Sequence, residues 1–230
     1  MKNLALIPAR SGSKGLPNKN IKELNGFPLM GYTIKAAIES CCFDEIMVST
    51  DSLQYAEIAK KFGANVPFLR SDEMAQDNAS TWDTVREVLT RYKELGKEFD
   101  YVALLQPTSP LRDADDIQEA FQKIQTAHIH NVVSITEVEH PVQWCFRLGN
   151  EKLMDEMATS PYNYVRRQEL GKYYRENGAI YLIDAKKIIN ADYNFYADYC
   201  YGFEMSREKS IDIDTALDFQ IAETIMRASS

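Results

Sequence analysis

The chain contains no apolar run near the roughly 20 residues that a membrane-spanning helix needs. Its first apolar stretch ends at Pro8, which reads as too short for a secretory leader, so no membrane partner is expected. Cysteine is scarce. Cys41, Cys42, Cys145 and Cys200 form no C-x-x-C pair, and the three histidines do not cluster with them. That pattern speaks against a zinc site or a disulfide framework, and for reduced, packed thiols in a cytoplasmic protein. The Gly-Lys-Ser/Thr ending of a P-loop is missing, as is the G-x-G-x-x-G of dinucleotide enzymes. Low-complexity tracts and internal repeats are absent too.

What is present is an ordinary globular composition: 230 residues, 45% hydrophobic and 26% charged. That is enough for one domain with a sizeable core. The formal net charge of −8 argues against nucleic-acid binding. The charge is uneven, because residues 1–22 carry Lys2, Arg10, Lys14, Lys19 and Lys22 and no acid. A basic segment on an acidic protein suits a small polyanion, although a solvated basic loop would look the same by charge alone.

Residues 3–8 read as a short buried strand, followed by a turn-rich segment from Ala9 to Asn20. Pro28 opens a helix, Glu45–Thr50 a second strand, and Asp51-Ser52 a second helix that Gly63 stops. Val66–Leu69 reads as a third short strand, and Ser80-Thr81 as the start of a helix through Tyr92. Asp100–Gln106 is nearly continuous in apolar residues, as in a strand buried on both faces. Asp113–Ala127 is a further helix and Asn131–Thr136 a further strand. This alternation predicts βαβ units on a largely parallel sheet. Residues 137–176 lose the rhythm and read as an irregular or antiparallel insertion. A strand returns at Gly178–Asp184, and after Ile211–Asp214 a closing helix runs to about Arg227.

A loop leaving the C-terminal end of a parallel strand is where open α/β sheets bind ligands. In this loop Gly12 and Gly15 let backbone N–H groups approach an anion, and Arg10, Lys14 and Lys19 can neutralise a triphosphate. A tight turn with surface lysines is the plainer alternative. Asp212 and Asp214 stand at i and i+2, so an extended backbone turns both carboxylates to one face, where they could share a divalent cation. From spacing alone, capping of the last helix by Asp214 or Thr215 with Asp218 is the better account of the acids. Gln106 ends a central strand and suits a polar sugar, or is simply buried. Asn177 can read a hydroxyl or an amide, and Gly178 permits close backbone approach. Tyr181 fits core packing as well as substrate contact.

Ile7-Pro-Ala-Arg-Ser-Gly-Ser-Lys-Gly-Leu-Pro-Asn-Lys-Asn20 closely resembles the opening motif of the acylneuraminate cytidylyltransferases, the synthetases of CMP-sialic acid and of its legionaminic and pseudaminic acid counterparts. The resemblance recurs in family order at Val48-Ser-Thr-Asp51, Leu104-Leu-Gln-Pro-Thr-Ser-Pro-Leu-Arg112, Arg175-Glu-Asn-Gly-Ala-Ile-Tyr181 and Ser210-Ile-Asp-Ile-Asp-Thr215. It implies a three-layer α/β fold: a mostly parallel twisted sheet flanked by helices, of the Rossmann-like nucleotidyltransferase kind. One domain would span residues 1–230, with 137–176 as a dimerisation and substrate-lid insertion. It implies CTP and Mg²⁺, transfer of CMP to a nonulosonic acid, and a homodimer. Catalytic roles would fall to Arg10, Lys14, Lys19, Asp212 and Asp214, with the metal on the two aspartates. The nucleotide would lie on Ala9, Arg10, Ser11, Gly12, Lys14, Lys19 and Asn20, with Arg70, Ser80 and Thr81 helping. Gln106, Arg167, Asn177, Tyr181 and Asp214 would meet the sugar acid. Arg167 matches an arginine that reaches toward the sugar carboxylate, in cis or in trans, and is equally readable as a surface charge beside Arg166.

Two departures bear on substrate. Leu69-Arg70-Ser71 lacks the expected Arg-Pro pair, and Gln143 stands where sialic acid enzymes tend to carry a lysine. With Trp144 and the segment Asn18–Tyr32, this looks closer to the legionaminic acid branch. Rival readings are a 3-deoxyoctulosonate cytidylyltransferase, a glycosyltransferase with an Asp-x-Asp metal site, and a non-catalytic nucleotide-binding protein.

Overall fold

Alternate residues of the first strand, β1 (Asn3–Pro8), face two different cores, and that alternation organises the molecule. A computed structural model describes residues 1–12, 15–76, 80–126, 128–152 and 154–228. Ala5 and Ile7 pack with α1 (Leu29–Ser40), α2 (Leu53–Lys61) and α5 (Ala114–Ile124). Leu4 and Leu6 pack with α4 (Thr81–Glu94) on the opposite face. Helices therefore cover both faces of the sheet, giving three layers. Pro28 precedes α1, Ser52 caps α2, Ser80 caps α4 and Asp113 closes a capping box on α5, all where start signals stand in the sequence. A one-turn helix, α3 (Asp72–Ala75), precedes α4.

The sheet has the order β4-β1-β5-β7-β6-β8. Here β4 is Glu45–Ser49, β5 Tyr101–Leu104, β6 Asn131–Glu137, β7 Tyr174–Asp184 and β8 Cys200–Glu204. Five strands run one way and β7 runs against both of its neighbours. A two-stranded hairpin, β2 (Glu23–Leu24) with β3 (Phe27–Pro28), leads into α1. The chain closes with α7 (Ala216–Ala228).

The structure differs from the sequence reading in four places. Val66–Leu69 is no strand: Asn65 bridges Met47 and Arg70 N donates to Thr50 O, but Pro67 between them has no N–H to continue a ladder. β8 has no clear strand signal in the sequence, because Gly202 interrupts it; a Cβ there would stand 2.8 Å from Ile135 Cδ1, so any larger residue would make that side chain shift. β7 starts at Tyr174 rather than Gly178, its first turn of residues being exposed and polar. The fifth helix ends at Ile124, and the expected end at Ala127 lies outside the described residues. The described residues of 138–173 hold short turns and one four-residue helix, α6 (Asp155–Ala158).

Candidate active site

The loop after β1 is shaped by a carboxylate at the end of the neighbouring strand. Ser11 N and Oγ donate to the two oxygens of Asp51, at 2.8 and 2.7 Å. Burial alone would push the Asp51 pKa up, but these donors outweigh it and hold the carboxyl below the usual range. Ala9 is buried, with its N–H on Ser49 O at 2.9 Å, and Asn20 Nδ2 braces Arg10 O at 3.0 Å. Arg10 Nη1 reaches Ala75 O at 3.4 Å. Gly12 is exposed, with open space where a Cβ would be. Lys14 lies outside the described residues.

The loop then meets the far end of the chain. Lys19 Nζ contacts Asp214 Oδ1 at 2.9 Å across 195 residues of sequence. A Cβ on Gly15 would stand 2.7 Å from the Asp214 carbonyl oxygen, so glycine is what lets the two backbones close. Between the two acids, Ile213 is fully buried and its N–H is pinned to Thr108 O at 2.8 Å. Asp212 and Asp214 therefore flank one buried residue and share the opposite face. Burial raises the Asp212 pKa, with Asp214 adding to the rise against a Thr108 hydrogen bond and Lys19. Its Oδ1 is buried without a hydrogen-bond partner. Capping of α7 is done by Thr215 and Asp218: Thr215 N donates to Asp218 Oδ2 at 2.7 Å, and Asp218 N to Thr215 Oγ1 at 3.3 Å. Helix capping thus falls on Thr215 and Asp218 and leaves the Asp212 side chain outside the cap.

A desolvated carboxylate oxygen beside a second carboxylate is a donor set that fits a divalent cation. Among the described residues no group of three or more His, Cys, Asp or Glu gathers. Magnesium suits such a pair, since it takes one or two carboxylates and fills its shell with water and phosphate oxygens.

These elements enclose a cleft of about 440 Å³. Arg10, Lys19 and Asn20 line one side, Asp212 and Asp214 another, and Arg70, Thr81 and Gln106 complete the wall from three further elements. Arg70 is buried, its Nε and Nη2 on Ser49 Oγ and O at 3.1 and 3.0 Å. Ser80 serves as the cap of α4, accepting from Trp82 N at 3.1 Å. Met74, Gln76, Thr84 and Thr108 also line the cleft and were not singled out from sequence. Thr108 sits inside the Leu104–Arg112 motif and could have been found there; Met74, Gln76 and Thr84 carry no sequence signal.

Three of the expected sugar contacts stand away from the cleft wall. Asn177 is buried, with Oδ1 accepting from Ser134 Oγ at 2.6 Å and Nδ2 donating to Ser210 Oγ at 2.9 Å. Tyr181 packs edge-on against Trp82 and donates to Glu176 Oε2 at 2.8 Å; burial, then Glu176, raise its pKa. Arg167 is exposed in a short turn of the irregular segment. Gly178, with φ of 76°, lies under Gln106, whose Oε1 would be 3.0 Å from a Cβ there.

The sequence profile of the family described as Cytidylyltransferase matches residues 4–223. The chain is 38% identical over 229 residues to the CMP-N,N'-diacetyllegionaminic acid synthase of Legionella pneumophila, covering 98% of this chain and 97% of that one. It is also 38% identical to the N-acylneuraminate cytidylyltransferase of Escherichia coli O18:K1:H7, spanning 98% of this chain but only 52% of that protein. Among solved structures, CMP:2-keto-3-deoxy-manno-octonic acid synthetase complexed with CTP superposes with a TM-score of 0.74 at 18% identity, over 100% of both chains; it shares the fold.

Proposed function

Because the chain belongs to the cytidylyltransferase family, we propose that it joins the CMP of CTP to the anomeric hydroxyl of a nine-carbon 2-keto sugar acid and releases pyrophosphate. The observation that carries this reading is the Lys19–Asp214 contact, which sets a cationic loop and an acidic pair on one cleft.

The triphosphate lies along the first loop, where Arg10, Lys14, Lys19 and backbone N–H groups offset its charge. Ser11, fixed by Asp51, and Asn20, fixed to Arg10 O, hold that loop in shape before substrate arrives. Arg70 and Thr81 border the nucleotide, and Ser80 orders the helix end beside it. Gln106 offers its amide to the sugar. A magnesium ion held by Asp212 and Asp214 would screen the phosphates and acidify the attacking hydroxyl. Lys19, held at the cleft by Asp214, would offer its ammonium to phosphate oxygen.

Residues 137–176 form the interface of a homodimer and carry Arg167 to the partner's cleft, where its guanidinium receives the sugar carboxylate. In support, Leu148, Met154, Tyr162 and Tyr164 all lie exposed in that segment, apolar surface that an interface would bury. Cys41, Cys42, Cys145 and Cys200 are all unpaired, which suits the reducing cytoplasm, but none is fully packed in the core as the sequence suggests: Cys41 and Cys145 are exposed and the other two partly so. No helix among the described residues is long and apolar enough to cross a membrane.

The test is pyrophosphate release from CTP and Mg²⁺ with neuraminic, legionaminic, pseudaminic and 3-deoxyoctulosonic acids in parallel. Turnover is expected with a nonulosonic acid, legionaminic foremost given Gln143 and Trp144. Turnover with the eight-carbon acid alone, or with none, overturns the assignment. A glycosyltransferase would consume a nucleotide sugar and release no pyrophosphate.

A further inference from the structure

Among the described residues the largest fully buried side chain is Arg112, 2% exposed, and nothing in the proposed reaction uses it. Its carboxylate neighbours, Asp113 and Asp116, are engaged by Lys209, at 2.6 and 3.0 Å. The guanidinium instead spends its hydrogen bonds on neutral oxygens. Nε donates to Ala179 O at 3.2 Å, and Nη2 donates to Thr33 Oγ1 at 2.7 Å and to Gln106 O at 3.3 Å. Nη1 is buried without a partner. Burial pushes the pKa down to about 10, against the pull of Asp116 and Asp113. A buried cation so incompletely satisfied is a poor stabilising device, and an apolar residue of similar volume would serve packing better.

The three acceptors explain its position. Gln106 follows β5, Ala179 lies in β7 and Thr33 in α1, so one rigid planar group spans strand, strand and helix. Gln106 is the cleft residue whose side chain rests over Gly178, the residue before Ala179. Its carbonyl is also reached by Thr33 Oγ1, at 3.5 Å, and by Ser109 N, at 3.3 Å. Two residues on, Thr108 O holds Ile213 N and with it the acidic segment.

We propose that Arg112 is a positioning residue for acceptor binding: by bridging the carbonyls of Gln106 and Ala179 it fixes the height of the Gln106 amide above Gly178, and so the width of the slot that receives the sugar acid. This rests on the reading of Gln106 as a sugar contact. The nucleotide side, built on the first loop and Arg70, does not depend on it.

The experiment is a double-mutant cycle on the full chain, with KM for the acceptor acid, KM for CTP and kcat measured for wild type, Arg112→Met, Gln106→Ala and the double variant. Arg112→Met is expected to raise acceptor KM about tenfold while CTP KM stays within about twofold, and to add less than about twofold once Gln106 is alanine. Multiplicative effects in the double variant, or equal rises in both KM values, would make Arg112 a general structural residue and overturn the proposal. If Arg112→Met does not fold, Thr33→Val, which removes one acceptor and leaves the charge in place, takes its role in the cycle. A smaller rise in acceptor KM that vanishes on the Gln106→Ala background supports the bridge, and an unchanged acceptor KM refutes it. A wild-type protein that turns over none of the acids defeats the reading of the reaction instead, so the two failures are distinguishable.

Discussion

The cleft is walled mainly by polar and charged side chains, the irregular segment carries exposed aromatic ones, and the two are held in opposite ways. Around the cleft almost every chain-defining group is internally bonded: Ser11 on Asp51, Asn20 on Arg10 O, Arg70 on Ser49, Ile213 N on Thr108 O. In residues 138–176, Pro141 alone is buried among the described residues, and Leu148, Met154, Tyr162 and Tyr164 are exposed. The first region is preorganised by its own fold, as a site that must stabilise developing charge requires. The second has aromatic surface and few internal constraints, which suits a surface completed by association.

That contrast can be broken most forcefully at the acidic pair. Asp212→Asn is expected to lower kcat/KM for pyrophosphate release by about 100-fold or more while far-ultraviolet circular dichroism and cooperative melting persist. Undiminished turnover would remove Asp212 from the reaction.

A smaller effect is expected in the irregular segment. Tyr164→Ser combined with Leu148→Ser is expected to shift light-scattering mass from dimer to monomer and to cost about tenfold in acceptor KM through the displaced Arg167. A dimer that survives both substitutions, with acceptor KM unmoved, would place the interface elsewhere.

The smallest effect concerns the loop's own brace. The Asp51 pKa is held down in the folded state, so its charge stabilises the fold above the ordinary aspartate range, and that stability is lost as pH falls through the folded pKa. Asp51→Asn is expected to lower the melting temperature by about 2–4 °C at pH 7, corresponding to about 1 kcal/mol. The gap should close as the pH drops into the acid range; a gap independent of pH would show that the Ser11 contacts matter for shape rather than charge.

Much of the scaffold was legible because its signals are local. Ser52, Ser80 and Asp113 cap helices where capping residues stand in the sequence, and the apolar run at Asp100–Gln106 becomes a central strand. Pro67 undid the strand expected at Val66–Leu69, since the ladder needs a donor proline does not have. The site was legible in part. The basic loop and the acidic pair are each compact in sequence, whereas Met74, Gln76 and Thr84 reach the cleft only because α3 and α4 pass beside it.

Composition and motif spacing determined a charged loop after the first strand and a paired carboxylate before the last helix, and the resemblance of five motifs pointed to the family to which the chain belongs. Spacing alone favours capping over cation binding for those carboxylates. Tertiary structure decided which residues cap α7, Thr215 and Asp218, and left Asp212 with a buried, unpartnered oxygen. It also decided that Asn177 spends its amide on Ser134 and Ser210, and that Arg112 bridges Gln106 to Ala179. Hydrogen-bond partners distant in sequence exist only once the sheet has assembled, so a side chain's free valences are a property of the fold rather than of its motif.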